Sequence, residues 1–187
     1  MRLFVALDFP EAVRDALRDL ITQLQPLCRA ARWVRPEGMH VTLKFIGEAR
    51  PDKVEPIKVA LSRIGLPQPV EMHFRGLGFF PNDRQPRVVW CGVEGSRNLA
   101  RLAAHIEGAL KPLDIAPETR EFVPHLTLAR FPWHEGVEEV VRAANERKSY
   151  DFGSARETDF HLFESILGRS GAEYIRLATY AFAKRSE

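Results

Sequence analysis

The chain has 187 residues, 45% hydrophobic and 28% charged, which suits one compact domain or two small lobes sharing a core and is too short for two independent domains. Its 27 basic and 25 acidic residues leave a formal net charge of +2, so a strongly basic nucleic-acid-coating surface is not indicated, although near-balance says nothing about a local basic groove. Cys28 and Cys91 lie far apart in no CxxC pattern, which argues against a disulfide framework or a structural zinc site; both read as small buried hydrophobes.

The apolar start, Met1 to Asp8, is too short for a signal segment, and no apolar run approaches membrane-spanning length. A cytoplasmic chain without a membrane partner is expected. Leu3, Val5 and Leu7 alternate as a strand. Asp8 and Pro10 then open a helix whose Val13, Ala16, Leu17, Leu20, Ile21 and Leu24 form one apolar stripe. Residues 31–35 and 39–46 read as paired strands joined around Pro36 to Gly38. A second helix runs from Asp52 to Ile64 through Val54, Ile57 and Leu61 and stops at Gly65. Strands at 69–79 and 87–94 follow, and Ser96 is placed to cap a third helix with Leu99, Leu102, Ala103 and Ile106 inward. A strand at 123–130, a helix near 136–147 and strands near 156–167 and 172–182 complete an α+β arrangement with no flexible-tether boundary, so residues 1–187 are expected to form a single unit.

The informative feature is a duplication. His40-Val-Thr42-Leu43 and His125-Leu-Thr127-Leu128 share the form His-apolar-Thr-Leu, each in a predicted strand followed by a predicted helix. Side chains at i and i+2 of a strand share a face, so His40 and Thr42 project together, as do His125 and Thr127, with the apolar residues behind them. If the two strands line one cleft, it receives two imidazoles and two hydroxyls that could straddle a phosphate. A single His-x-Thr in a strand is ordinarily a half-buried pair with no chemistry. A matched second copy in a chain with only six histidines weighs against that. Histidine's ordinary pKa leaves both protonation states accessible near neutrality, so one imidazole can take a proton from water while the other protonates a departing oxygen. A zinc site lacks ligands, because the motifs supply two histidines and no carboxylate or thiolate at ligand spacing. Neither a metal nor a cofactor is expected.

The sequence resembles the 2H phosphoesterases, a family defined by two His-x-Thr-x motifs. Within it, the chain is similar to the bacterial RNA 2′,3′-cyclic phosphodiesterases, historically called 2′-5′ RNA ligases. Besides the motifs, the stretches that carry the resemblance are Arg2 to Leu7, Trp33 to Glu37, Leu43 to Glu48, Arg87 to Val93, Phe122 to Arg130, Leu162 to Leu167 and Gly171 to Tyr174. It implies a bilobal fold, with two pseudo-symmetric antiparallel sheets lining a central cleft and helices outside. It further implies hydrolysis of an RNA 2′,3′-cyclic phosphate end to a 2′-phosphate, with His40 as general acid, His125 as general base, and Thr42 and Thr127 holding the phosphate. Phe45 and Arg130 would lie near the terminal nucleotide, and a monomer is the default.

From alternation alone, Phe45 falls on the core face unless a bulge turns it, and Arg130 is an ordinary strand-end arginine apart from its closeness to Thr127. Lys44 is the unusual residue of the first motif and should point away from the reacting atoms. Of the other histidines, His73 reads as solvent-facing, His105 as a helix-surface residue and His134 as a loop residue, while His161 has no assignable role. Three rival readings are reverse 2′-5′ ligation as the main activity, a small cyclic nucleotide phosphate as substrate, and a nucleotide- or RNA-binding module without turnover.

Overall fold

The computed structural model describes residues 1–65, 68–133, 136–168 and 171–182; His134 lies outside them. Strand β1 (Arg2–Leu7) is buried at every position after Arg2. Helix α1 (Glu11–Leu24) starts after Pro10 and buries Val13, Leu17, Leu20, Ile21 and Leu24, as the 3.6-residue stripe predicts, together with the charged Arg14. The rest of the first half is β2 (Arg32–Trp33), a 3₁₀ turn at Pro36–Gly38, β3 (Val41–Glu48), α2 (Pro51–Ser62) and β4 (Val70–Phe80). The second half is β5 (Val88–Gly95), α3 (Arg97–Leu110), β6 (His125–Arg130), α4 (Glu138–Asn145), β7 (Asp151–Glu157), β8 (Asp159–Gly168) and β9 (Gly171–Ala181).

Two antiparallel sheets result, one ordered β3-β1-β8-β9 and the other β2-β6-β5-β4-β7. They are built from a repeat. The series β1-α1-β3-α2-β4 is echoed by β5-α3-β6-α4-β8, with β2, β7 and β9 outside it. Each repeat sends its last strand into the other's sheet: β4 pairs with β5, and β8 pairs with β1. The chain therefore crosses between sheets four times, after β1, β2, β3 and β7, which ties the lobes together by main-chain pairing. One continuous core fills the space between sheets and helices, with Leu17, Ile57, Leu61, Leu102, Ile106, Val140 and Phe160 fully enclosed. Each such side chain contributes about 1.5–3 kcal/mol through burial.

Three sequence expectations are corrected. Residues 31–35 and 39–46 do not form a hairpin: β2 pairs with β6 and β3 with β1, because the turn at Pro36–Gly38 carries the chain from one sheet to the other. Ser96 stands at the N-cap of α3, but its hydroxyl accepts the Glu71 N–H at 3.3 Å instead of capping the helix. The strand predicted at 156–167 is two, broken at Thr158, and β7 went unseen because only Phe152 and Ala155 of it are buried.

Candidate active site

The two motif strands carry the same irregularity. Across β1 and β3, Ala6 faces Thr42 and Val5 faces Lys44, so Leu43 is the extra residue of a β-bulge. Across β5 and β6, Trp90 faces Thr127 and Val89 faces Ala129, so Leu128 is the extra residue. The leucine that closes each motif thus has a structural role, filling the core at a point where the strand gains a residue and reverses its alternation. Leu43 and Lys44 are both buried, as are Leu128 and Ala129. The residues that follow, Phe45 and Arg130, swing onto the face of His and Thr. Phe45 is 56% exposed, which decides its ambiguous sequence reading in favour of the cleft.

His40, Thr42, Phe45, His125, Thr127 and Arg130 all line one cleft of about 330 Å³ between the sheets. All six sequence-predicted site residues are brought together there. That volume suits one small polar ligand or the end of a larger one. Lys44 points the other way, into the core, where its ammonium donates to Glu107 Oε1 at 3.0 Å and to the Ala116 carbonyl at 2.7 Å.

The histidines are fixed identically. His40 Nδ1 lies 2.9 Å from the Gly38 carbonyl and His125 Nδ1 lies 2.7 Å from the Val123 carbonyl, each two residues back. A carbonyl only accepts, so Nδ1 carries the hydrogen in both rings and Nε2 keeps a lone pair for other chemistry. Their surroundings differ. His40 stacks on Phe4 with ring centroids 4.4 Å apart and meets the edge of Tyr174 at 4.9 Å. Phe4 in turn stacks on Phe163 at 5.2 Å. His125 meets Phe80 edge-on at 4.9 Å. Burial pushes His40 down to about 4, opposed by its bond to Gly38 and by the Asp8 carboxylate. Burial also lowers His125, opposed by Val123 and reinforced by the Arg130 and Arg120 charges. In each case loss of water around the ring disfavours the cation.

Two glycines make this packing possible. A Cβ on Gly38 would come within 3.0 Å of the Tyr174 ring, and one on Gly78 within 2.3 Å of the Trp90 ring. The turn bearing Gly38 is held from behind by Arg14, which is 8% exposed and donates to the carbonyls of Pro36 and Met39. Asp8 at 2.7 Å and Glu11 at 3.2 Å neutralise it, and Asp8 also accepts from Arg176 at 2.9 Å. Sequence reasoning gave no role to Phe4, Tyr174, Arg2 or Arg14. Arg2 and Tyr174 line the cleft, yet both sit in strands whose alternation gives no sign of which face is functional.

The other described histidines stay outside the cleft. His73 is half-buried, not free in solvent, and lies 2.9 Å from Asp151. His161 is buried, 3.0 Å from the Thr179 hydroxyl and 3.2 Å from Asp159. His105 is exposed on α3, as expected. Among the described residues, no helix is long and apolar enough to cross a membrane.

A duplicated fold with one His-x-Thr strand per sheet, both facing a single cleft, is the architecture of a two-histidine phosphoesterase. The chain belongs to the LigT like Phosphoesterase family, whose pattern it matches over residues 7–90 and 92–174, so the match divides close to the structural repeat. It is 35% identical over 180 residues to the RNA 2′,3′-cyclic phosphodiesterase of Archaeoglobus fulgidus, covering 96% of this chain and 99% of that one. It is 30% identical over 174 residues to the RNA 2′,3′-cyclic phosphodiesterase of Methanocaldococcus jannaschii, covering 93% and 96%. Among solved structures, a Thermus thermophilus protein superposes with a TM-score of 0.81 at 29% identity, covering 99% of this chain and 100% of that one. E. coli LigT complexed with 3′-AMP superposes with a TM-score of 0.76 at 26% identity, covering 98% of each chain.

Proposed function

We propose that this protein is an RNA 2′,3′-cyclic phosphodiesterase that opens the terminal cyclic phosphate to a 2′-phosphate by two-histidine acid–base catalysis. The observation that carries the reading is the pair of imidazoles in one cleft, each with Nδ1–H committed to a main-chain carbonyl and Nε2 free. In the reaction, water attacks phosphorus and passes a proton to Nε2 of His125. The bond from phosphorus to the ribose 3′ oxygen breaks, and that oxygen takes a proton from Nε2 of His40. The hydroxyls of Thr42 and Thr127 donate to the phosphate oxygens. Phe45 stacks on the terminal base, and Arg130 contacts the nucleotide through its guanidinium. Each acid–base group supplies about 10²–10⁴ in rate, which suits a cyclic ester already oriented by its own ring.

This reading makes the whole chain one bilobal unit that works as a cytoplasmic monomer without a metal. The relatives named RNA 2′,3′-cyclic phosphodiesterase, similar over almost their full length, support the substrate class. The test is incubation, with excess EDTA, with a short RNA ending in a 2′,3′-cyclic phosphate, alongside His40→Ala and His125→Ala. Conversion to a 2′-phosphate by wild type, with each variant slower by about 10²-fold or more, is expected. Folded wild-type protein that binds the RNA without turnover would point instead to a binding module.

A further inference from the structure

The cleft is graded along β1. At its inner end Ala6 stands opposite Thr42, next Phe4 stands opposite Phe45, and Arg2 lies at the outer end. Ala6 and Arg2 are four residues apart, about 13 Å along a strand. That interval leaves room for one nucleotide between a phosphate at Thr42 and the Arg2 guanidinium. Arg2 is directly opposite Ser165 on β8, and Ser165 is opposite Tyr174 on β9. Directly opposed residues of an antiparallel pair share a face, and all three line the cleft. The Arg2 charge also acts on the Tyr174 hydroxyl. Beside them Leu167 and Ala172 face each other and line the same end. Leu167 is left 73% exposed there, an apolar surface that a base lying on Phe45 would cover.

The polar groups at this end are of one kind. A guanidinium only donates, and among the described residues no carboxylate or carboxamide side chain lines the cleft. The acid opposite Arg2 in the β1–β3 ladder, Glu48, lies 3.6 Å from the N-terminal ammonium instead. Guanine presents O6 and N7 as neighbouring acceptors, which the fork of an arginine meets with two hydrogen bonds. Adenine presents N7 beside an N6 amino group, which donates. An amino group turned towards a guanidinium leaves donors on both sides without an acceptor.

We infer that Arg2, with the Ser165 hydroxyl beside it, reads the O6–N7 edge of the base stacked on Phe45, so that the enzyme prefers guanine to adenine at the cyclic phosphate. Arg2 is thus a specificity residue, set apart from the reacting atoms by the length of the nucleotide. This rests on the function proposed above and adds what that function leaves open, the choice of base.

Three substrates isolate the edge: 2′,3′-cyclic GMP, 2′,3′-cyclic AMP and 2′,3′-cyclic IMP, whose base keeps the O6 and N7 of guanine and lacks its 2-amino group. Wild type is expected to show kcat/KM about tenfold higher for cyclic GMP and cyclic IMP than for cyclic AMP. Arg2→Gln brings that ratio to about one or below, because a carboxamide pairs with the N6 and N7 of adenine. A merely structural role for Arg2 would lower all three substrates together and leave the ratio unmoved. Arg2→Lys keeps part of the ratio, since one donor remains without the fork. Arg2 is exposed at the start of β1, so both variants should fold. Affinities for the products 2′-GMP, 2′-IMP and 2′-AMP are measured in parallel by calorimetry. If wild type turns over none of the substrates, the proposed reaction fails, while a preference for 2′-GMP and 2′-IMP in binding that Arg2→Gln abolishes still sustains the base reading. Equal kcat/KM and equal affinity for guanine and adenine, a preference for guanine that hypoxanthine does not share, or a ratio that Arg2→Gln leaves intact overturns it.

Discussion

An anion in the cleft should return to His40 the proton that burial removes. In the free protein the imidazole is held at about 4, so at pH 7 about one molecule in a thousand carries the cation needed to protonate a leaving oxygen. A singly charged phosphate about 4 Å from the ring, at an effective dielectric near 20, favours the cation by about 4 kcal/mol. That is about 3 pKa units, which lifts His40 from about 4 to about 7. Binding must therefore take up a proton, and between those two values affinity should rise about tenfold for each unit the pH falls. Sulfate is a suitable probe, since it does not titrate in this range and its two charges shift His40 the same way by at least as much. The assay follows the His40 ring by NMR, assigned with His40→Gln, in free and sulfate-saturated protein, and measures sulfate affinity by calorimetry from pH 5 to 7. The same shift fixes the sign for folding. Because the folded value lies below the unfolded one near 6.5, this group's stability contribution is complete above about 6.5 and is lost as pH falls through about 4. A free-protein pKa of 6 to 7 that sulfate leaves unmoved would refute the reasoning.

Two buried cations give contrasting expectations. Arg14→Met leaves the Pro36 and Met39 carbonyls without their donor and should cost about 1–3 kcal/mol for each in urea denaturation, with a fall in kcat from the loosened turn beneath His40. Lys44→Met replaces an equally buried charge, but its partner Glu107 is 35% exposed and also accepts the Glu118 N–H. Water can solvate the abandoned carboxylate, so stability should stay within about 1 kcal/mol of wild type, read from the same denaturation curves.

The site was legible in the sequence where chemistry and periodicity coincide. His40, Thr42, His125 and Thr127 share a spacing whose meaning follows from strand geometry, and the structure places all four on one cleft. Alternation could not settle Phe45 and Arg130, because the bulges at Leu43 and Leu128 reverse it, and a leucine at a bulge looks like any core leucine. The false hairpin at 31–46 has a similar origin. Two short apolar runs around Pro36 satisfy the local rule, whereas the observed pairings of β2 with β6 and of β3 with β1 are set by contacts distant in sequence. Arg14 is one charged residue on an amphipathic helix, indistinguishable from exposed neighbours such as Arg18 until the turn it supports is seen to lie behind it.

Duplication and asymmetry divide the work in this protein. The repeat supplies two equal halves: a bulged strand, a histidine locked by the carbonyl two residues back, and a threonine beside it. A reaction in which one group must give a proton while the other takes one needs the two halves in different proton states. The surroundings break the tie. His40 stacks on Phe4, backed by a turn that a buried guanidinium holds rigid, and is pushed to about 4. Its proton state therefore depends most on the charge of whatever enters the cleft. His125 lies at the mouth, within the field of Arg130 and Arg120, cations that oppose its protonation whether or not the cleft is filled. A ring that gains its proton only with an anion bound is suited to give it to a leaving group. A ring kept neutral by burial, with two cations beside it, is suited to accept one from water. The proposed assignment of acid to His40 and base to His125 thus has a physical basis in the unequal surroundings of two otherwise matched strands.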